Sequence, residues 1–296
     1  ILPLLEEQAG RSAPVTVTQA EFTRLDPGRP RSPIATADSL RSDELVETRA
    51  KLRSALIEAR TRGRLLARAQ LELAGDDPER VDEISTPAWD DLGTGADVSV
   101  IIPLYNYEDH LTGALDSVFA SRGVNPEVIV VDDCSTDRSA EVLRTYLDEH
   151  PDRPILGLLR ALNAGPSQAR NLGRSRARSS RLFLLDADNE LYPDGLARLR
   201  EALDGDDAPV AYGILEMFGD MHNLVSAMPW QVESLTLRPY IDNMAMVRAA
   251  TVEELGGFPD DSLGLEDYRF YVKLAARGES PVWVPQIVGR YRIHTD

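Results

Sequence analysis

The 296-residue sequence predicts an α/β fold, with a mostly parallel central sheet, helices on both faces and a helical N-terminal extension in front. Two observations carry that prediction. After Ala96, strand-like and helix-like segments alternate, as in a parallel sheet joined by crossover helices. The strand-like segments have near-continuous apolar centres, the pattern of strands buried on both faces. No internal repeat is visible.

Residues 1–95 differ in texture and are expected to form an extension and linker ahead of a domain over 96–296. The first forty, rich in Pro, Arg, Ser and Thr, read as an extended or loosely packed arm. From Ser42 to Leu73 the chain reads as a helix, with Asp43 and Glu44 in its first turn, where the helix dipole favours acids. Leu45, Leu52, Leu56, Leu65 and Leu66 form an incomplete apolar stripe. That stripe suits packing on the following domain, or docking and self-association through a partner helix. The stretch GDDPERVDEISTPAWDDLGTG reads as a linker.

The run VSVIIPL (98–104) is then a fully apolar strand. In DHLTGALDSVFAS, Leu111, Leu115 and Val118 recur at helical spacing. EVIVVDD (127–133) is a second buried strand, followed by a helix for which Ser135 and Thr136 are candidate caps. ILGLLR is the third strand and PSQARNLGRSRARSS the third helix; RLFLLDAD is the fourth strand.

Composition narrows the function classes. A formal charge of −17 and a pI near 4.7 argue against nucleic-acid binding and against an anionic membrane surface. No apolar stretch approaches the ~18 residues of a membrane helix, and the opening ILPLL is too short for a signal segment. The single cysteine, Cys134, allows no internal disulfide, so a reducing cytoplasm is the expected compartment. The chain starts at Ile1 rather than Met, as a piece of a longer protein would.

In sheets of this type ligands bind beyond the carboxyl ends of the strands. Here those ends carry Pro103-Leu104, Asp132-Asp133 and Asp186-Ala187-Asp188. Two acids one residue apart repel, so a positive partner is expected; such carboxylates bind a divalent cation, ligand hydrogen-bond donors, or only water. Hard oxygens in an Asp-x-Asp motif suit Mg²⁺ or Mn²⁺. Neither GxxxxGK[ST] nor GxGxxG follows the first strand, which argues against a P-loop and a dinucleotide-binding domain.

Taken together, VSVIIPLYNYEDHLTGALDSVFAS, EVIVVDDCSTDRSAEVL, NAGPSQARNLG, LFLLDADNELYP and IDNMAMVRAATVEELGGFPDDSLGLEDYRFYVKLAARG, in that order, resemble a family 2 glycosyltransferase of the GT-A, Rossmann-like fold over about residues 97–296. The resemblance implies an inverting enzyme that uses Mn²⁺ or Mg²⁺ and moves a sugar from a nucleotide donor, a UDP-sugar, to an acceptor hydroxyl. It implies a nucleotide half near 96–190 and an acceptor half near 191–296. Pro103 and Tyr105 would meet the nucleotide, and Asp133, with Asp132 beside it, would accept from the uracil N3–H. Arg170 would lie near the nucleotide or diphosphate. Asp188 would bind the metal, with Asp186 near the ribose or supporting the ion, and His294 would complete the shell. Asp267 would be the general base and Glu266 would contact the acceptor.

His110, His150 and His222 lack ligand spacing and read as structural. Trp230 and Tyr240 are candidates for stacking on a sugar, with core packing the simpler use. Two rival readings are a sugar nucleotidyltransferase, which would need a glycine-rich basic loop after the first strand, and a catalytically inactive scaffold docking through 42–73.

Overall fold

A computed structural model of the chain describes residues 36–235, 239–259 and 266–294. It opens on a long helix, α1 (Thr36–Ala74), then β1 (Val81–Ser85) and the short α2 (Pro87–Asp91). The expected alternation follows: β2 (Val98–Leu104), α3 (Leu111–Phe119), β3 (Pro126–Asp132), α4 (Ser139–Glu149), β4 (Ile155–Arg160), α5 (Pro166–Arg176) and β5 (Arg181–Leu184). The rest comprises β6 (Glu190–Leu191), α6 (Gly195–Gly205), β7 (Val210–Gly219), β8 (Leu224–Val225), α7 (Val232–Leu235), β9 (Ala245–Arg248), α8 (Ala249–Glu254), α9 (Glu266–Ala276) and β10 (Val282–Ile293).

One sheet holds these strands in the order β1-β4-β3-β2-β5-β9-β7-β10-β6, with β8 on β7. The block β4-β3-β2-β5 is parallel, as the apolar runs require. Beyond it β9 runs antiparallel to both β5 and β7, while β10 runs parallel to β7. Register along β7–β10 shifts between Val284 and Ile287. Pro285 sits in that gap, where a residue without an N–H removes no regular ladder bond.

Alternation along the strands supplies two core layers. Val98, Val100, Ile102 and Leu104 of β2 and Val128 and Val130 of β3 join Leu111, Leu115, Leu143 and Leu199 on one face. Ile101 turns to the other face with Val210, Tyr212 and Phe270. Each such fully buried aliphatic side chain contributes about 1.5–3 kcal/mol. On that second face α5 lies close to β2: a Cβ built on Gly173 would stand 2.6 Å from Ile101 Cγ2.

Several local expectations are corrected. The segment expected as a linker contributes an edge strand: β1 pairs antiparallel with β4, from Val81 opposite Arg160 to Ser85 opposite Leu156. Thr86 caps α2 by accepting from Trp89 N at 3.3 Å, and Trp89, 5% exposed, packs on Ile129, Val131, Leu156 and Leu158. Only Val81 and Ile84 of β1 are half-buried, so its sequence is mostly polar and hides the strand. Second, α1 begins at Thr36 and not Ser42, which takes Asp43 and Glu44 out of the first turn.

The leucine stripe of α1 also faces the wrong way for packing on the body. Leu52, Leu65 and Leu66 are 60%, 62% and 63% exposed, while Arg64, Ala67 and Leu71, at i, i+3 and i+7, are half-buried. The side chains of Leu45 and Leu56 lie outside the described residues, as do residues 1–35 of the expected arm. Third, Ser135 and Thr136 do not cap α4. Asp137 Oδ1 accepts from Ser139 N at 2.9 Å, whereas Ser135 Oγ accepts from Asn106 N and Thr136 N donates to Asn106 Oδ1. The two residues tie neighbouring loops together.

If β1 and α2 belong to the folded body, Trp89→Ala should lower unfolding stability by about 3–5 kcal/mol in urea titrations. An unchanged midpoint would make the segment a tether.

Candidate active site

The carboxyl ends of β2, β3, β4 and β5 and the end of β10 converge on one cavity of about 840 Å³. β2 delivers Pro103 and Tyr105, β3 delivers Asp133, and the turn after β5 delivers Asp186, Asp188 and Asn189. β5 ends at Leu184 instead of running to Asp188, because Asn189 N turns back to Asp186 O at 3.0 Å. That turn is why an apolar strand emerges directly into paired acids. At the rim, Asn106 and Cys134 take positive φ, 60° and 62°, directly beyond β2 and β3. Non-glycine residues in that region hold strain that the surrounding bonds must sustain.

The acids divide their partners. Asp188 Oδ2 lies 2.9 Å from His294 Nε2, and Asp186 Oδ1 accepts from Arg170 Nη2 at 3.0 Å. Arg170 is buried, and its Nη1 stands 3.7 Å from Asp267 Oδ1, which also accepts from Asn243 Nδ2. Burial, and then the Asp186 charge, push the Asp188 carboxyl above the ordinary range, against the hydrogen bond from His294. Asp242 is pushed up to about 7, by burial first and by Asp186 next, with Arg170 opposing. Burial raises the Tyr107 hydroxyl to about 12, with Asp188 and Asp186 adding; Tyr291 is raised by burial and by Asp242, Asp186, Asp188 and Asp267.

At the other end Asp133 is buried and accepts from Ala164 N at 2.9 Å and Gly165 N at 2.6 Å, with Arg160 Nε 3.4 Å away. Its carboxyl is nonetheless raised, because burial outweighs these contacts. Asp132 is also raised by burial; it accepts weakly from Ser135 N at 3.4 Å and does not line the cavity.

The structure therefore brings Pro103, Tyr105, Asp133, Arg170, Asp186, Asp188 and His294 to one cavity, with Asp267 joined through Arg170. The Glu266 side chain lies outside the described residues. His110, expected to be structural, stands with its ring 5.6 Å from that of His294. His150 packs on Tyr146, as a structural residue does. Trp230 packs on Tyr271 and the Tyr240 hydroxyl bonds Gln231, so both serve the core.

Sequence reasoning missed Tyr107, Asn189, Asp242, Asn243, Tyr291 and Arg292. Asn189 Oδ1 accepts from Arg292 N at 2.8 Å, and its buried Nδ2 has no protein partner among the described residues. Asp242 and Asn243 stand in the quoted IDNMAMV segment, and an acid-amide pair ahead of an apolar run was the available signal.

The family model described as Glycosyl transferase family 2 matches residues 99–247, half of the chain. The chain belongs to glycosyl transferase family 2. The succinoglycan biosynthesis protein ExoO of Rhizobium meliloti (strain 1021) is 32% identical over 157 residues, 52% of this chain and 44% of that protein. An uncharacterized glycosyltransferase, YibD of Escherichia coli (strain K12), is 37% identical over 114 residues, 38% of this chain and 32% of its own length. The chain thus spans less than half the length of these two relatives.

Among solved structures, mannosyltransferase PcManGT from Pyrobaculum calidifontis, in complex with GDP-Man and Mn²⁺, superposes with a TM-score of 0.56 at 22% identity, covering 83% of this chain and 69% of that one. S. aureus TarS 1-349 in complex with UDP-GlcNAc gives 0.59 at 19% identity, covering 68% and 59%. The fold of this family 2 chain is therefore GT-A. The matched span covers Asp133, Arg170, Asp186 and Asp188 but not Asp267 or His294, whose place at the site rests on the geometry above.

The raised carboxyls set a pH dependence. A folded-state pKa above the unfolded value means that the folded chain binds more protons between the two, so stability falls as pH rises through that window. The window opens near pH ~4, the ordinary carboxylate value, and for Asp242 closes near 7. With EDTA present, Asp242→Asn should flatten the upper part of that decline in urea midpoints; a wild-type slope would remove Asp242 as its source.

Proposed function

We propose that this chain is an inverting, metal-dependent glycosyltransferase that moves a sugar from a uridine-diphosphate donor to an acceptor hydroxyl. The observation that carries the reading is one cavity in which Asp188 meets His294 and Asp186 is linked through Arg170 to Asp267. Solved relatives of the same fold hold UDP-GlcNAc, or GDP-Man with Mn²⁺, which supports a nucleotide-sugar donor and a divalent ion.

The donor set fits such an ion. Among the described residues no three His, Cys, Asp or Glu side chains are arranged to hold a metal alone. Mg²⁺ and Mn²⁺ characteristically take one or two carboxylates and leave the remaining positions to substrate phosphates and water. Asp188 would supply the main protein ligand, with Asp186 or His294 as a second, and the raised Asp188 carboxyl is the group that a cation would relieve. When bound, Mn²⁺ or Mg²⁺ supplies positive charge against the departing diphosphate.

The chain's own residues do the rest. Pro103 and Tyr105 flank the nucleotide, and Asp133 accepts from its base. Arg170 fixes Asp186 and Asp267 relative to each other. Asn243 Nδ2 donates to Asp267 and so orients its carboxylate. As general base, Asp267 takes the acceptor hydroxyl proton while that oxygen attacks the anomeric carbon and the bonding pair leaves with the diphosphate. Glu266, one residue earlier, contacts the acceptor, which binds over the 191–296 half. The free thiol of Cys134 suits a cytoplasmic setting, and among the described residues no helix is long and apolar enough to cross a membrane.

Two variants test the reading. Asp188→Ala should abolish sugar transfer and the Mn²⁺-dependent heat of UDP binding while leaving the circular dichroism unchanged; retained transfer would refute the metal assignment. Asp267→Asn should bind UDP like the parent yet transfer more slowly by ~10² or more.

A further inference from the structure

The α/β body leaves one side of the cavity to α1. Gly63, Arg64 and Ala67 line it there, across from Asp133 and Gly165. The Arg64 guanidinium lies against Gly165, where a built Cβ would stand 2.5 Å from Nη2 and where φ is +92°. Gly165 is therefore held to glycine by its backbone conformation, and the tip of the Arg64 side chain occupies the space a Cβ would take. Its amide donates to Asp133, on whose carboxylate the Arg64 charge also acts. A guanidinium, which only donates, and a carboxylate, which only accepts when ionised, thus share one end of the cavity. The carboxylate carries about four lone-pair sites, and the amides of Ala164 and Gly165 leave capacity for a further donor.

Resting on the donor-site reading above, we propose that Arg64 is a nucleobase-reading residue supplied by the N-terminal helix. Asp133 accepts the ring N–H of a lactam edge, and Arg64 donates to the carbonyl oxygen beside it. Uracil and guanine carry that edge, whereas cytosine and adenine present a bare ring nitrogen in its place. The pair would then disfavour the latter two, because the buried carboxylate would meet a ring-nitrogen lone pair where it has room for a donor. Base choice would be set in part by a helix outside the family-matched span, which begins at residue 99. Arg68, one turn on, is engaged with Glu72 and Glu79 and provides an internal control.

Calorimetric titration of UDP, GDP, CDP and ADP into the whole chain with Mn²⁺ tests this. The parent should prefer UDP or GDP to CDP and ADP, and which of the two it prefers identifies the base. Arg64→Ala should weaken the preferred nucleotide by about 10-fold or more and narrow its lead. Arg64→Lys should regain part of the affinity through its charge but not the selectivity, since it lacks the planar fork. Arg68→Ala should match the parent. Parental affinity and selectivity in Arg64→Ala, or full recovery of both in Arg64→Lys, would overturn the proposal. Equal binding of all four nucleotides by the parent would overturn it while sparing the donor-site reading. If none of the four bound, both would fall together.

Discussion

Arg170 places a guanidinium only 5% exposed between two carboxylates from opposite halves of the chain, Asp186 at 3.0 Å and Asp267 at 3.7 Å. Its helix, α5, is seated on β2 at Gly173, so the cation is fixed from the parallel block of the sheet. Asp186 leaves the adjacent strand of that block, and Asp267 opens α9 beyond the antiparallel strands. Arg170 is the buried member, its partners being 32% and 34% exposed, and without them it would be costly, since an uncompensated ion away from water costs several kcal/mol. The ion chain therefore does more than decorate the cavity. It makes the helix-start carboxylate Asp267 and the strand-end acid Asp186 one electrostatic unit.

How much of this could be read from the residues depends on how local each cause is. β2 and β4 run over the residues expected, because a predominantly apolar heptad or hexad between polar turns has one stable place in an α/β fold. The acids at the ends of β3 and β5 were legible for the same reason: chain direction in a parallel block puts every strand end on one edge. The roles of Asp267 and His294 came from resemblance, since Asp267 opens a helix where an acid is ordinary. Asp242, Asn243 and Tyr291 were hidden because the path β5-β9-β7-β10 is set by pairing between distant strands, with a register shift near Pro285. No pattern along one chain announces which strands will meet.

The N-terminal region misled for a different reason. An edge strand such as β1 needs only two half-buried apolar residues, and five residues with two of them resemble any polar linker. In α1 the leucines suggested an inward face, yet the half-buried positions are Arg64, Ala67 and Leu71. Apolar content located the wrong face because what α1 meets is a polar cavity mouth, which suits an arginine with a small residue beside it and not a row of leucines. Hydrophobic patterning finds the side of a helix that packs on a core and is blind to one that borders a ligand site.

Charge closes the argument about the cavity. Its described lining carries Arg64, Arg170 and Arg292 against Asp133, Asp186 and Asp188, three formal charges of each sign beside His294. Those arginines are engaged: Arg170 holds Asp186, Arg64 faces Asp133, and Arg292 donates to Asp188 O while approaching Glu190. Immediately behind stand Asp242 and Asp267, which tilt the potential negative. On the proposed reading, a diphosphate would bring further negative charge into a chain that carries a formal −17. On that reading, a divalent ion beside Asp188 would reverse the local sign where the phosphates would sit.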